Sequence, residues 1–257
     1  MSWNDWREHF EANRGRPLPP VTRPRDLSPA LASALARSLA CFQVGEAGEG
    51  RIVRQIARCR LAGVDADYRR ALELFVAEEG RHARILAAAV RALGGRLLAT
   101  TWSERLFVLG RRLCGVRFKL LVLLAAEVIG IGFYGLLAAR LPRCGLRAAL
   151  EQMCGDERAH LRFHQDFFRT QAARGWRRLL FRVAWNLVGP AAALVVVLDH
   201  RQTVRRLGAG LGATARELAR LVASAGRLEA AAATAATAAT TTPGAGDQAL
   251  ASVAVRS

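Results

Sequence analysis

Lysine is nearly missing from this chain: of 38 basic residues, Lys119 alone is a lysine. The arginines that replace it are spread through almost every segment. The formal charge of +17 therefore reads as a compositional bias more than as a patch selected for nucleic acid. A polyanionic partner is the lesser expectation. Cysteine is scarce as well. Cys41, Cys59, Cys114, Cys144 and Cys154 are odd in number and contain no C-x-x-C, which argues against a disulfide framework and for reduced thiols in a cytoplasmic protein. The opening, Met1-Ser2-Trp3-Asn4-Asp5-Trp6-Arg7, has acids and tryptophans where a signal peptide needs an apolar run. Proline is sparse between Leu27 and Pro142, and no segment alternates polar and apolar residues as a half-buried strand does. That leaves an all-α class.

What is present suffices for one substantial core, with 257 residues of which 52% are hydrophobic. Residues 1–27, charged and proline-rich, read as an arm lying over the domain. Ser28-Pro29 then offers an N-cap and a first-turn proline. Leu35, Leu39, Phe42, Glu46, Glu49, Val53 and Ile56 follow at steps of four and three, the spacing of a stripe that faces a bundle interior. A short turn at 62–67 makes the next helix an antiparallel neighbour, and its stripe runs through Leu72, Phe75, Glu79, His82 and Leu86 to Gly94-Gly95. Thr101 or Ser103 caps a further helical region. The run 120–139 is long enough to cross a bilayer, but Glu127 near its middle is costly in lipid and finds partners in this chain, so it reads as a core helix. After a turn at 141–145, a fourth helix carries Met153, Asp156, Glu157, His160 and His164. The expected organisation is an arm at 1–27, a four-helix bundle at 28–175, accessory helices at 176–228 and a disordered Ala/Thr-rich tail at 229–257. Within the accessory region, 183–198 contains Pro190 and is bounded by Arg177, Arg178, Arg182 and Arg201. It reads either as a helix covering the bundle or as an interfacial helix on an anionic membrane.

One spelling occurs twice. Glu78-Glu79-Gly80-Arg81-His82 and Asp156-Glu157-Arg158-Ala159-His160 are each a carboxylate followed by Glu-x-x-His. Residues three apart share a helix face, so each Glu and His pair can offer an oxygen and a nitrogen to one cation. Each pair follows a helix with its own inward-facing acid: Glu127 in the second half, Glu46 or Glu49 in the first. Glu127 to Glu157 spans 157−127=30 residues, Glu49 to Glu79 spans 79−49=30, and Glu46 to Glu79 spans 79−46=33. Equal separations favour Glu49 as the ligand. Four carboxylates and two neutral imidazoles balance two divalent cations, so the other acid would sit outside the ligand set, held by Arg51 or Arg54. Buried carboxylates with neither cation nor partner are strongly unfavourable, and these fall on apolar stripes, so a metal site follows. Oxygen and imidazole donors without thiolate suit iron or manganese, or a mixed pair, over a structural zinc. Glu78 and Asp156 stand where each could accept the second ring N–H of the opposite half's histidine.

Over roughly residues 28–175 the chain resembles the ferritin-like di-iron carboxylate superfamily, on Glu46/Glu49, Glu79-x-x-His82, Glu127 and Glu157-x-x-His160. Glu46-x-Gly48-x-x-Arg51-Ile52, and Glu127 followed seven residues later by Tyr134, look like the demethoxyubiquinone hydroxylase branch, and that likeness favours Glu46 as the ligand. The resemblance implies an antiparallel four-helix bundle with extra C-terminal helices, and two iron ions that reduce dioxygen to oxidise or hydroxylate an organic substrate. It gives Tyr134 a part in hydrogen-bonding a ligand or relaying an electron, against the plainer reading of a core tyrosine. His164, one turn beyond His160, becomes a third histidine ligand or a donor behind the ligands.

Iron storage uses the same ligands, so a ferroxidase or iron-binding protein is the first alternative. A basic helical adaptor on membrane or nucleic acid, with a degenerate site, is the second. Gly130, Gly132 and Gly135 beside Glu127 leave room for a substrate or serve close helix packing. The expected partners are dioxygen, a small organic substrate, an unidentified electron donor, a peripheral membrane contact through 183–198 and a second copy of the chain.

Overall fold

Helical periods read in the sequence become helices in the computed structural model, which describes residues 1–48, 50–102, 105, 115–172 and 175–227. They are α1 (Trp3–Asn13), α2 (Pro29–Glu46), α3 (Arg51–Ala57), α4 (Ala66–Ala92), α5 (Gly115–Arg140), α6 (Gly145–Gln171), α7 (Gly175–Asp199), α8 (Arg201–Arg206) and α9 (Leu211–Ala225). Among the described residues there is no strand. Met1–Gly226 gather into one compact unit. The expected tail at 229–257 and the alternative cap Ser103 lie outside the described residues.

Side chains close the helix starts. Ser28 Oγ accepts the Leu31 N–H at 3.3 Å with Pro29 in the first turn, and an Asp65 oxygen accepts the Tyr68 N–H at 2.8 Å. The stripe expected to run unbroken from Leu35 to Ile56 is interrupted. Helix α2 ends at Glu46 and α3 begins at Arg51. Gly45, Gly48 and Gly50 crowd that stretch, and each glycine costs a helix roughly 1 kcal/mol relative to alanine. The break leaves Glu46 at the very end of its rod.

Two antiparallel pairs make the bundle. Helix α5 runs against α6, with Ile131 opposite Cys154 and Glu127 opposite His160. Helix α2 runs against α4, with Ala36 against Gly95 at one end and Glu46 near Glu79 at the other. Leu35, Leu39, Leu86, Tyr134, Leu137 and Met153 interdigitate as the core between the pairs. The apolar run around Glu127 is mostly buried inside the chain, as a core helix requires. Gly132 answers to close packing, since a Cβ there would lie 2.4 Å from Leu218 on α9. Helix α7 differs. It buries Phe181, Trp185 and Ala192, but turns Leu179, Val183, Leu187, Leu194 and Leu198 outward.

The N-terminal arm is more than a cover. Ser2 and Asp5 form a capping box that starts α1, and the helix drives Trp6 and Phe10 into the aromatic core. Phe10 meets Phe163 at 5.3 Å and Phe75 at 6.2 Å between ring centroids, and the Trp6 indole donates to Asp166 at 2.9 Å. Trp6 is 1% exposed. Replacing it with alanine is expected to lower the unfolding free energy by about 3–5 kcal/mol in urea denaturation followed by far-UV circular dichroism. A loss below about 1 kcal/mol would show that α1 contributes little to the core.

Candidate metal centre

Helices α2, α4, α5 and α6 each bring acid to one place inside the bundle. Helix α4 supplies Glu79 and His82, α6 supplies Glu157 and His160, and α5 supplies Glu127, all buried. Glu46 reaches them from the end of α2 and takes a hydrogen bond from the Tyr134 hydroxyl at 2.7 Å. Glu49, the other candidate ligand from the first half, lies outside the described residues. Arg51 and Arg54 are exposed.

Glu79, His82, Glu157 and His160 each offer an atom within 4.8 Å of the others, close enough that the group could hold a metal ion. The ring nitrogens show why. His82 Nε2 stands 3.1 Å from Asp156 Oδ2, and His160 Nε2 stands 3.2 Å from Glu78 Oε2, each across the bundle on the opposite motif. A carboxylate only accepts, so each Nε2 carries the proton and each Nδ1 of a neutral ring turns a lone pair inward. His160 Nδ1 lies 2.8 Å from Glu79 Oε1, and His82 Nδ1 lies 3.2 Å from Glu157 Oε1. Neither nitrogen is hydrogen-bonded, and neither are those two oxygens. Four buried lone-pair atoms facing one another need something positive between them.

Protons answer the same need. Burial opposes charge on both histidines, yet the surrounding carboxylates outweigh it and raise His82 and His160 well above the ordinary imidazole range. Burial, then the charge of Glu79, pushes Glu46 well up; burial and the charge of Glu127 push Glu79 and Glu157 up. His164 goes the other way. Burial, reinforced by His160, lowers it to about 3, so it is neutral beside Glu127, with Nε2 3.4 Å from Oε1 and no hydrogen bond on either ring nitrogen.

Outside this ring sits a second layer of charge that the motif alone does not reveal. Arg16, just beyond α1, reaches Glu78 at 2.8 Å and Asp156 at 2.5 Å, and Arg81 reaches Asp156 at 2.6 Å. Burial would raise the Asp156 carboxyl, but the hydrogen bonds from His82 and Arg16 hold it down at about 2. Both histidine-bound acids therefore remain charged and fixed in place. Arg81 is itself part of the repeated spelling, where it passes for a solvated residue. Arg16 lies 62 and 140 residues from its two partners, beyond any local pattern.

An apolar cavity of about 160 Å³ opens onto the acids, with Glu46, Glu79, Glu127 and Glu157 on one side and Phe42, Val122, Leu123, Ile129, Val195 and Val196 around the rest. Gly130 lines it where a Cβ would come within 3.5 Å of the Glu157 carboxyl carbon. Compared with models of protein families, with curated proteins and with solved structures, the chain matches none.

Arg16→Ala leaves every inward-facing group untouched but removes the guanidinium that pairs with, and positions, the acids that hold the histidines. It is expected to weaken divalent-metal binding by about 10- to 100-fold in chelator competition. Metal binding to the intact protein is expected to release protons, read with a pH indicator in weak buffer, because metal and protons compete for the same lone pairs.

Proposed function

We propose that this is a ferritin-like non-haem di-iron protein that uses dioxygen to oxidise or hydroxylate an apolar organic molecule. The observation that carries the reading is the apolar cavity ending on four carboxylates. An oxidation needs a dry space beside the redox centre large enough for substrate, whereas a route for iron ions needs polar walls.

Charge supports a pair of ions. Glu46, Glu79, Glu127 and Glu157 with two neutral imidazoles match two divalent cations, while Glu78 and Asp156 are matched by Arg16 and Arg81. Oxygen and nitrogen donors without sulfur fit iron, with manganese the nearest competitor. When bound, two ferrous ions supply the electrons that reduce dioxygen, and an external donor restores them.

The chain's own residues set the conditions. Asp156 and Glu78 hold the imidazoles in the Nε2–H form. Tyr134 restrains Glu46 through its hydroxyl proton. Neutral His164 stands with Nε2 3.4 Å from Glu127 Oε1, where a ring N–H can steady that carboxylate without taking its charge. Phe10 and Phe75 pack on His160 at 5.8 and 4.8 Å and keep water from that side.

A peripheral membrane contact fits the same reading. The outward stripe of α7 is bordered by Arg182 and Arg201 and carries Trp176 at its start, the make-up of a helix lying on an anionic bilayer. The double change Leu187→Asp and Leu194→Asp is expected to abolish sedimentation with phosphatidylglycerol vesicles while leaving metal binding intact.

The deciding experiment loads the protein anaerobically with ferrous iron and mixes it with oxygen in a stopped-flow spectrometer. About two irons per chain and a transient visible absorption that Glu157→Ala and His160→Ala both lose are the expected results. Uptake of hundreds of irons per assembly would mark a store instead. Protein that stays metal-free after ferrous reconstitution, with affinity for polyanions falling steeply with salt, would mark a basic adaptor.

A further inference from the structure

The cavity is also lined by a polar side chain with no part in the metal centre. His200, just after α7, is buried and lines the cavity with its neighbour Asp199. Its ring stacks on Phe42 at 5.0 Å and packs against Phe133 at 4.8 Å. Phe42 in turn touches the Tyr134 ring at 5.1 Å, and Tyr134 holds Glu46. An aromatic wall thus runs from His200 to the carboxylates.

The hydrogen bonds around His200 fix which ring nitrogen carries its proton. Thr203 Oγ1 donates its one proton to the Ala34 carbonyl at 2.8 Å. The 2.7 Å contact between Thr203 Oγ1 and Ser38 Oγ must then use the Ser38 proton. With that proton spent, the 2.9 Å contact between Ser38 Oγ and His200 Nδ1 requires the proton on Nδ1. The relay runs one way, from His200 through Ser38 and Thr203 to a helix carbonyl. Burial also lowers His200 to about 4, the Asp199 charge only partly opposing it, so the ring is neutral at ordinary pH. Nε2 is left with a lone pair and no partner among the described residues. Asp199 is already engaged, by the Trp102 indole at 3.1 Å and Arg37 at 3.4 Å.

We infer that the cavity binds an apolar, ring-sized molecule bearing one hydroxyl or N–H group, and that His200 Nε2 receives that donor. The volume of about 160 Å³ compares with cavities of about 150 Å³ that accept a benzene ring. Phe42 and Phe133 cover the faces of the His200 ring, so Nε2 accepts along the imidazole plane, while Val122, Leu123, Ile129 and Val196 enclose the rest of the molecule. Binding stands without the oxidase reading. Only the fate of the bound molecule rests on it.

The test uses full-length metal-free protein with phenol and aniline as donor probes, and toluene and anisole as probes of like size without a donor. Phenol and aniline are expected to bind about tenfold more tightly than toluene and anisole, the worth of one buried hydrogen bond. The preference should vanish in His200→Phe and survive in part in His200→Gln, whose amide oxygen can accept. With ¹⁵N-histidine labelling, the His200 signals should show a protonated Nδ1 and a bare Nε2, and phenol should move the Nε2 signal. Equal binding of phenol and toluene by the unaltered protein, or a protonated Nε2, would overturn the inference. Should the donor preference hold while iron-loaded protein fails to react with oxygen, the oxidase reading falls and the binding site stands.

Discussion

Repulsion among buried carboxylates and inward-facing lone pairs is the constraint on which this bundle turns. Placing Glu79, Glu127 and Glu157 on apolar helix faces spends folding energy, because a carboxylate in a low-dielectric interior is costly unless positive charge meets it. The helices around these groups are long and well packed, with Leu35, Leu86 and Leu137 fully buried on the same rods. That packing fixes the acids in place and tolerates the strain at the centre. Protons relieve that strain, as the raised Glu46, Glu79 and Glu157 carboxyls show, and a cation among the same lone pairs would relieve it too.

The outer layer of charge is solved by the protein alone. Glu78 and Asp156 each face a histidine on one side and an arginine on the other, so the imidazoles are oriented by groups that are themselves neutralised. One of the two arginines comes from the chain start, held by the helix that buries Trp6 and Phe10. Packing of an N-terminal helix and electrostatics of the centre are in this way a single problem.

Much of this is legible in the residues themselves. Glu-x-x-His repeated with a preceding acid places donors on one helix face by period alone, and the apolar spacing around it assigns that face to the interior. The cross-bundle reach of Glu78 and Asp156 follows from the same period once two antiparallel pairs are drawn. Four features escape. The helix break after Glu46 is hidden because the apolar stripe continues at the right spacing on the far side of Gly48 and Gly50. The burial of α1 is hidden because Trp6 and Phe10 sit among charges that give the segment a solvated look. Arg16 and the His200–Ser38–Thr203 relay are tertiary accidents of sequence distance, joining residues 62 to 165 positions apart.

The broken rod at Glu46 makes the two halves of a repeated motif mechanically unequal. Glu127 projects from the middle of a buried helix, with turns on both sides to stiffen it, whereas Glu46 is the last residue of its helix and leans on a tyrosine for support. The Glu46 carboxylate can therefore shift at little cost to the backbone, whereas any displacement of Glu127 disturbs the packing of its whole rod. Symmetry in spelling thus becomes a division of labour between a fixed berth and a yielding one.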